Sequence, residues 1–202
     1  MSTKTKKYVM VIDLRKCVGC HACTVKCKME NDVPEGHFRT WVVEADVGMY
    51  PNVKRAKLPK LCNHCDDAPC VTVCPVNANK RNEHGIMSID KDACIGCRYC
   101  IAACPYDARY LNPETGVADK CDFCLNRVEN GLMPACVSTC IAHSRVFGDI
   151  NDPNSEVSKL LSKHATQVLN PEHGTHPNVY YIGLDATLSD TNFQVLQDKG
   201  AV

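Results

Sequence analysis

The hydrophobic residues of this chain fall into short runs, and most of these runs lie close to a segment rich in cysteine. Runs rich in β-branched and aromatic residues predict short strands at Tyr8–Asp13, Arg39–Ala45, Val53–Lys57, Ile86–Asp90, Tyr106–Leu111, Arg145–Ile150 and within Pro171–Leu184. Helices are predicted at His21–Asn31, where Val33–Gly36 then breaks the pattern, and at Glu156–His164, where Asn154 or Ser155 supplies a cap. The pattern therefore predicts a mixed fold of short elements.

Four groups of four cysteines form an internal repeat. The third group lies in Lys91–Pro105, K-D-A-C-I-G-C-R-Y-C-I-A-A-C-P, with two, two and three residues between its cysteines. The first group has the same spacing, whereas the middle gap has four residues in the second group and eleven in the fourth. Every group ends in C-x3-C, and the members in chain order are Cys17, Cys20, Cys23, Cys27; Cys62, Cys65, Cys70, Cys74; Cys94, Cys97, Cys100, Cys104; and Cys121, Cys124, Cys136, Cys140.

This spacing predicts 4Fe–4S clusters. In two-cluster ferredoxins the first three cysteines of such a motif hold one cluster and the fourth ligates the other. The second and third groups are adjacent, so we expect them to exchange their fourth cysteines, which leaves the first and fourth groups to do the same. The four predicted ligand sets are set 1, Cys17, Cys20, Cys23 with Cys140; set 2, Cys62, Cys65, Cys70 with Cys104; set 3, Cys94, Cys97, Cys100 with Cys74; and set 4, Cys121, Cys124, Cys136 with Cys27. Each set is complete, so four 4Fe–4S clusters are expected.

Disulfides and zinc are the alternatives for 16 cysteines in 202 residues. A disulfide framework suits a short secreted chain, and neighbouring cysteines here lie too close along the chain to join distant segments. Zinc knuckles use separate C-x2-C pairs, which does not match the run in the third group. The hydrophobic fraction of 45% includes the cysteines, so the apolar core is small and we expect the clusters to organise the interior.

The predicted fold class is α+β, with two ferredoxin-like lobes that each bind two 4Fe–4S clusters, short strand or hairpin insertions, and a small C-terminal extension. The expected units are residues 7–37, 53–84 and 85–114 for the first three ferredoxin-type motifs. Residues 115–150 hold the fourth cysteine motif, which pairs with the first, and residues 151–202 form the extension.

Charge and motif content narrow the function. Lys+Arg and Asp+Glu are equal at 23 each, which argues against a broad basic surface for nucleic acid. No apolar stretch approaches the roughly 20 residues that cross a bilayer, and no export signal is visible, so we expect no direct membrane span. We find no catalytic motif, which predicts a conductor of electrons. His21 and His64 lie inside cysteine loops, where each either tunes a cluster by hydrogen bonding or stays partly in solvent.

The tetrads, together with C-V-G-C-H-A-C, C-N-H-C-D-D-A-P-C, A-A-C-P-Y-D-A-R-Y-L-N-P-E-T-G-V-A-D-K-C and P-E-H-G-T-H-P-N-V-Y-Y-I, resemble the iron–sulfur subunits of the DMSO reductase-type molybdopterin oxidoreductases. They are most similar to the iron–sulfur subunits of polysulfide or thiosulfate reductases and of respiratory arsenate reductases. The resemblance extends along the chain to about Leu184. Lys28 and Ile141 depart from the proline that follows the tetrad, which affects helix starts and not ligands. Nitrate reductase relatives carry Trp at one ligand position of the fourth tetrad, where this chain keeps Cys.

The resemblance implies a non-catalytic subunit that relays electrons between two partners. One is an integral membrane subunit that oxidises quinol, and the other is a catalytic subunit with a molybdenum or tungsten bis-pterin. It also implies a location on the periplasmic side of the inner membrane, reached by export with the catalytic subunit. The alternative function is a cytoplasmic polyferredoxin that serves a hydrogenase or formate dehydrogenase.

Overall fold

A computed structural model describes residues 5–184 of the chain, so the end of the predicted extension lies outside the described residues. The strands are β1 (Tyr8–Asp13), β2 (Thr40–Met49), β3 (Asn52–Leu61), β4 (Asn79–Arg81), β5 (Met87–Ile89), β6 (Arg109–Leu111), β7 (Ala118–Lys120), β8 (Arg145–Asp149), β9 (Thr166–Gln167) and β10 (Val179–Ile182). The helices are α1 (Ala22–Asn31), α2 (Pro69–Thr72), α3 (Tyr99–Ala102), α4 (Leu125–Glu129), α5 (Ala135–Ser138) and α6 (Glu156–Lys163), with a 3-10 turn at Pro171–His173.

The first strand is one of the two inner strands of a four-stranded sheet with the order β8-β1-β10-β9. β1 pairs antiparallel with β8 and parallel with β10. Its side chains alternate between two faces, and both faces are covered. Val9 and Val11 pack towards Val157 of α6, whereas Met10 and Ile12 join a buried cluster that contains cysteines from all four tetrads. The cysteine loops therefore pack against the sheet through one face of β1.

Three antiparallel hairpins form separate two-stranded sheets: β2–β3, β4–β5 and β6–β7. The predicted strands at 39–45 and 53–57 are confirmed as β2 and β3, which extend further than expected. The predicted strand at 106–111 begins only at Arg109, because a left-handed turn at Asp107 (φ 53°) comes first. The short strands β4, β7 and β9 were not predicted.

The helix of the first tetrad is longer than those of the others. α1 runs past Cys27 to Asn31, where Lys28 stands in place of the proline that follows the second and third tetrads and would end a helix. The Lys28 ammonium then donates to the carbonyls of Pro34 (3.2 Å) and His37 (2.7 Å). The helices α2, α3 and α5 have four residues each. The departure at Lys28 therefore affects the end of a helix rather than a start, whereas α5 stays short although Ile141 also replaces proline.

The segment after α6 returns across the molecule and completes the sheet. On the way, residues 170–178 cross the loop of the second tetrad. The Asp66 N–H donates to the His176 carbonyl (2.9 Å), and the Asn178 N–H donates to the Asn63 carbonyl (2.8 Å). The part of the predicted extension that the structure describes therefore packs into the fold rather than lying apart from it. Its helix, capped by a serine hydroxyl, is confirmed.

Candidate functional site

Short helices bring the cysteine tetrads together in pairs. α1 of the first tetrad packs against α5 of the fourth, and α2 of the second packs against α3 of the third. An exchange of fourth cysteines requires this arrangement, because each exchanged thiol comes from the partner tetrad.

The thiols of set 1 line a common cavity. Cys17, Cys20 and Cys23 meet Cys140 there, although Cys140 lies more than a hundred positions further along the chain. Burial raises the pKa of Cys17, and the nearby charges of Cys23 and Cys140 act in the same direction. The four predicted ligands of set 1 therefore surround one space.

Within set 4, and likewise within set 2, the predicted ligand thiols lie close to one another. Burial raises the pKa of Cys27 to about 12, and the charges of Cys136 and Cys124 contribute. All three belong to set 4.

Burial likewise raises the pKa of Cys65 to about 12, with contributions from Cys62, Cys104 and Cys70, which complete set 2. For set 3, the structure brings the two contributing helices into contact. Buried neutral thiols must lose their protons to bind iron, so cluster assembly is coupled to proton release.

The loops that carry the tetrads share one backbone conformation. The second residue after the first cysteine has a positive φ in every tetrad: Gly19 (72°), His64 (45°), Gly96 (68°) and Phe123 (54°). Glycine adopts this conformation without steric cost. At Gly96 an added Cβ would also collide with the Gly116 carbonyl. The repeat in sequence is thus a repeat in backbone geometry, even where glycine is absent.

Backbone N–H groups reach the fourth cysteine of the tetrads from four residues further on. The Ala78 N–H donates to Cys74 Sγ at 3.2 Å, and the Ser144 N–H donates to Cys140 Sγ at 3.3 Å. Burial raises the pKa of Cys104, and the N–H at position 108 opposes it. Hydrogen bonds to the sulfurs help to set cluster potentials.

The first tetrad uses a side chain for the same purpose. Because α1 continues beyond Cys27, its fourth following residue, Asn31, presents an amide group instead of a free N–H. Asn31 Nδ2 lies 3.6 Å from Cys27 Sγ and 3.9 Å from Cys124 Sγ. Arg39 Nη1 donates to Asn31 Oδ1 at 2.8 Å, which turns the amide N–H groups towards the Cys27 carbonyl, at 2.9 Å, and the two sulfurs.

The interior contains more positive charge than its carboxylates balance. Lys60, Arg109, Lys120 and Arg145 are buried, and within residues 5–184 none of them forms an ion pair with a carboxylate. A buried charge is costly unless it is paired. A 4Fe–4S core bound by four thiolates carries net negative charge, so bound clusters would supply the missing counter-charge. The residues present therefore fit the clusters that the spacing predicts.

The two loop histidines have different surroundings. His64 is fully buried, stacks on Phe123 at 3.6 Å between ring centroids, and accepts from the Met87 N–H at 3.0 Å. Burial holds the pKa of His64 well below its usual value, so the ring is neutral. Partial solvation was therefore wrong for His64. It holds for His21, which is largely exposed and lies 3.4 Å from Glu44.

Sequence reasoning missed the buried cations and the tail residues that contact the site. The hydroxyl groups of Thr175 and Tyr106 are hydrogen-bonded to each other at 2.5 Å, and Thr175 lies beside Cys65. Arg109 and Arg145 had a usable signal, because both stand five residues after the last cysteine of a tetrad.

In the described part of the chain, no three His, Cys, Asp or Glu side chains converge tightly enough to hold a single metal ion. A cube does not need that convergence, since its four thiolates bind different irons. Over the same residues, the structure shows no helix long and apolar enough to cross a membrane.

Comparison with known proteins identifies the family. Residues 53–150 match the family described as the 4Fe-4S dicluster domain. A tetrathionate reductase subunit of Salmonella typhimurium is 52% identical, over 89% of this chain and 73% of the relative. The thiosulfate reductase electron transfer subunit of Salmonella typhi is 48% identical, over 81% and 85%. The arsenate respiratory reductase iron–sulfur subunit of Shewanella sp. is 38% identical, over 86% and 94%.

The chain belongs to the family of iron–sulfur subunits of these reductase complexes. The resemblance seen in its motifs is confirmed, as are the 4Fe–4S cofactor type and the role in electron transfer without catalysis. These relatives favour a reductase subunit over a polyferredoxin of a hydrogenase or formate dehydrogenase. Two parts of the fold prediction are confirmed for this iron–sulfur subunit. It contains a ferredoxin-like 4Fe–4S dicluster domain, and it combines helices with strands.

Proposed function

We propose that this iron–sulfur subunit holds four 4Fe–4S clusters in two lobes and conducts electrons along ligand sets in the order 1, 4, 2, 3. The clusters, when bound, supply one-electron redox chemistry. The helix contacts support one lobe made of sets 1 and 4 and another made of sets 2 and 3.

Contacts between the lobes support the middle of this order. Burial raises the pKa of Cys121 in set 4, and the charge of Cys62 in set 2 contributes to the shift. The stacked rings of His64 and Phe123 join the loops of the same two sets. Sets 4 and 2 are therefore neighbours, which leaves sets 1 and 3 at the ends.

The exposure of the cysteines carries the proposal. Of the sixteen, only Cys20 and Cys97 are exposed, and they belong to the two terminal sets. Exposed apolar residues lie in the same loops, Val18 beside Cys20 and Ile95 beside Cys97. An electron conductor needs its terminal centres near its surface, where apolar residues favour contact with a partner.

The partners that best fit these two ends are a molybdenum or tungsten bis-pterin catalytic subunit and an integral membrane subunit that oxidises quinol. The complex would be a respiratory reductase of the tetrathionate, thiosulfate or polysulfide, or arsenate type, on the periplasmic side of the inner membrane. The names of the relatives support a reductase complex of this kind.

Ligand substitutions test the exchange of cysteines. Cys74→Ser and Cys97→Ser should alter the same electron paramagnetic resonance (EPR) signal, because both residues are assigned to set 3. Cys65→Ser, in set 2, should alter a different one. If Cys74→Ser instead changes the signal that Cys65→Ser changes, the exchange is wrong. Iron and sulfide near sixteen each per chain are expected in the anaerobically prepared protein, as for four cubes.

Anaerobic purification of the tagged subunit tests the partners and location. We expect a pterin-containing subunit and a membrane subunit to copurify, and quinol to reduce the clusters in that complex. Protease added to intact spheroplasts should digest the subunit. Recovery of a nickel–iron hydrogenase subunit in place of the pterin protein would refute the assignment, and full protection from protease would refute the periplasmic location.

A further inference from the structure

Two buried arginines occupy equivalent places in the cysteine repeat. Arg109 is the fifth residue after Cys104, and Arg145 is the fifth residue after Cys140. Each opens a short strand, β6 or β8, directly after the left-handed turn that follows the tetrad. Both side chains are buried. The repeat thus delivers one guanidinium to each pair of tetrads.

Neither guanidinium is neutralised by an ordinary ion pair. Arg109 Nη2 donates to Cys70 Sγ at 2.9 Å and Nη1 donates to Asn79 Oδ1 at 2.6 Å. Arg145 Nη2 donates to Thr40 Oγ1 at 2.9 Å, while its Nη1 is buried without a partner. Among the described residues, no carboxylate pairs with either side chain. Arginine remains protonated in proteins, so both positive charges persist in the interior.

The thiolates that interact with Arg109 come from two ligand sets. They are Cys70, Cys62 and Cys104 of set 2, and Cys100 of set 3. Arg109 opens β6, which contacts α3, the helix that carries Cys100, so Arg109 lies near predicted ligands of both clusters in one proposed lobe.

Arg145 has the same relation to the other lobe. Arg145 lines the cavity that Cys17, Cys20, Cys23 and Cys140 of set 1 surround. It also opens β8, which contacts α5, the helix that carries Cys136 of set 4. Each arginine thus lies near predicted ligands of both clusters in its own pair of tetrads.

Reduction of a cluster adds one negative charge to the interior. A fixed positive charge nearby stabilises the reduced form, and it does so more strongly in a low dielectric than in water. We propose that Arg109 and Arg145 are equivalent tuning residues, each of which raises the reduction potentials of both clusters in its own pair of sets. This inference rests on the ligand sets proposed above.

Redox titration of the cluster-loaded complex, followed by EPR, tests the inference. Arg145→Met keeps much of the side-chain volume and removes the charge. It should lower the potentials of two of the four clusters by at least a tenfold change in the reduction equilibrium, about 59 mV for one electron. Arg109→Met should lower the other two. The Lys variants at both positions should retain most of the wild-type potentials.

A second route leaves Arg109 in place. Asn79→Asp puts a carboxylate of the same shape against Arg109 Nη1, and it should lower the potentials of sets 2 and 3 while sets 1 and 4 stay unchanged. Arg55→Met, at an exposed site on β3, is the matched control and should change no potential.

The outcomes separate this inference from the proposed function. A wild-type protein with fewer than four clusters refutes the proposed ligand sets. Four clusters whose potentials do not move in Met or Asp variants of full iron content refute the tuning role. A uniform shift of all four potentials in Arg145→Met also refutes it, because the charge would then act without regard to position.

Discussion

Arg39, which lies between the first and second tetrads, forms a buried ion pair with Asp119, just before the fourth tetrad. Its Nη2 lies 2.8 Å and 3.1 Å from the two carboxylate oxygens of Asp119, and its Nη1 contacts Asn31. The pair links the segment before β2 to β7, 80 positions away in the chain. The side chains are only 7% and 8% exposed. We predict that Arg39→Met destabilises the protein strongly.

The magnitude follows from what the substitution leaves behind. Asp119 would keep its bonds from the Tyr110 hydroxyl (2.8 Å) and the Lys120 N–H (2.7 Å) but would lose its buried counter-charge. Removal of one partner of a buried pair costs about 3–5 kcal/mol. This corresponds to about two to four orders of magnitude in the unfolding equilibrium. Asp119→Asn removes the orphaned charge, so the double variant should lose less stability than the sum of the two single variants.

The molecule contains a control pair with similar distances. Arg55 and Asp46 face each other across β2 and β3 at 2.9 Å and 3.1 Å, but their side chains are 60% and 56% exposed. Exposed pairs contribute little because water screens them, so Arg55→Met should leave stability nearly unchanged.

Anaerobic guanidinium chloride titration measures both effects. Far-ultraviolet circular dichroism reports the backbone, and visible absorbance reports the clusters. All variants are compared at equal iron content. A loss in Arg39→Met no larger than that in Arg55→Met would show that burial does not decide the strength of this pair.

Three further substitutions have defined outcomes. Gly96→Ala should lower the thermal midpoint and the iron content more than Gly116→Ala does. Both glycines have φ near +70°, but only at Gly96 would the added Cβ meet a backbone carbonyl. Equal losses in the two variants would mean that the backbone conformation alone matters. Asn31→Leu removes the amide near Cys27 Sγ and should lower the potential of one cluster in a redox titration, whereas an unchanged set of four potentials would exclude that role. Phe123→Ala should cost about 3–5 kcal/mol in chemical unfolding, since the ring is buried between two other rings; a loss below about 1 kcal/mol would mean that the site collapses to fill the space.

Much of the local structure could be predicted from sequence. The strand at Tyr8–Asp13 and the capped helix after Ser155 were both found, because their signals are local: β-branched residues in a run, or a hydroxyl before an amphipathic segment. The strand that begins at Arg109 was placed three residues too early. The turn at Asp107 brings the Ala108 N–H to Cys104. No hydrophobic pattern in the sequence indicates such a turn.

The ligand type and the number of tetrads follow from the sequence alone, because a cube takes its first three thiolates from one short loop and that loop has a fixed spacing. The sequence also indicated the family. The contacts between helices, the burial of His64 against Phe123, and the burial of Arg109 and Arg145 with no carboxylate partner within residues 5–184 became visible only in the folded structure. Those features depend on contacts between residues far apart in the chain, whose free energy comes from shared burial and charge rather than from local spacing.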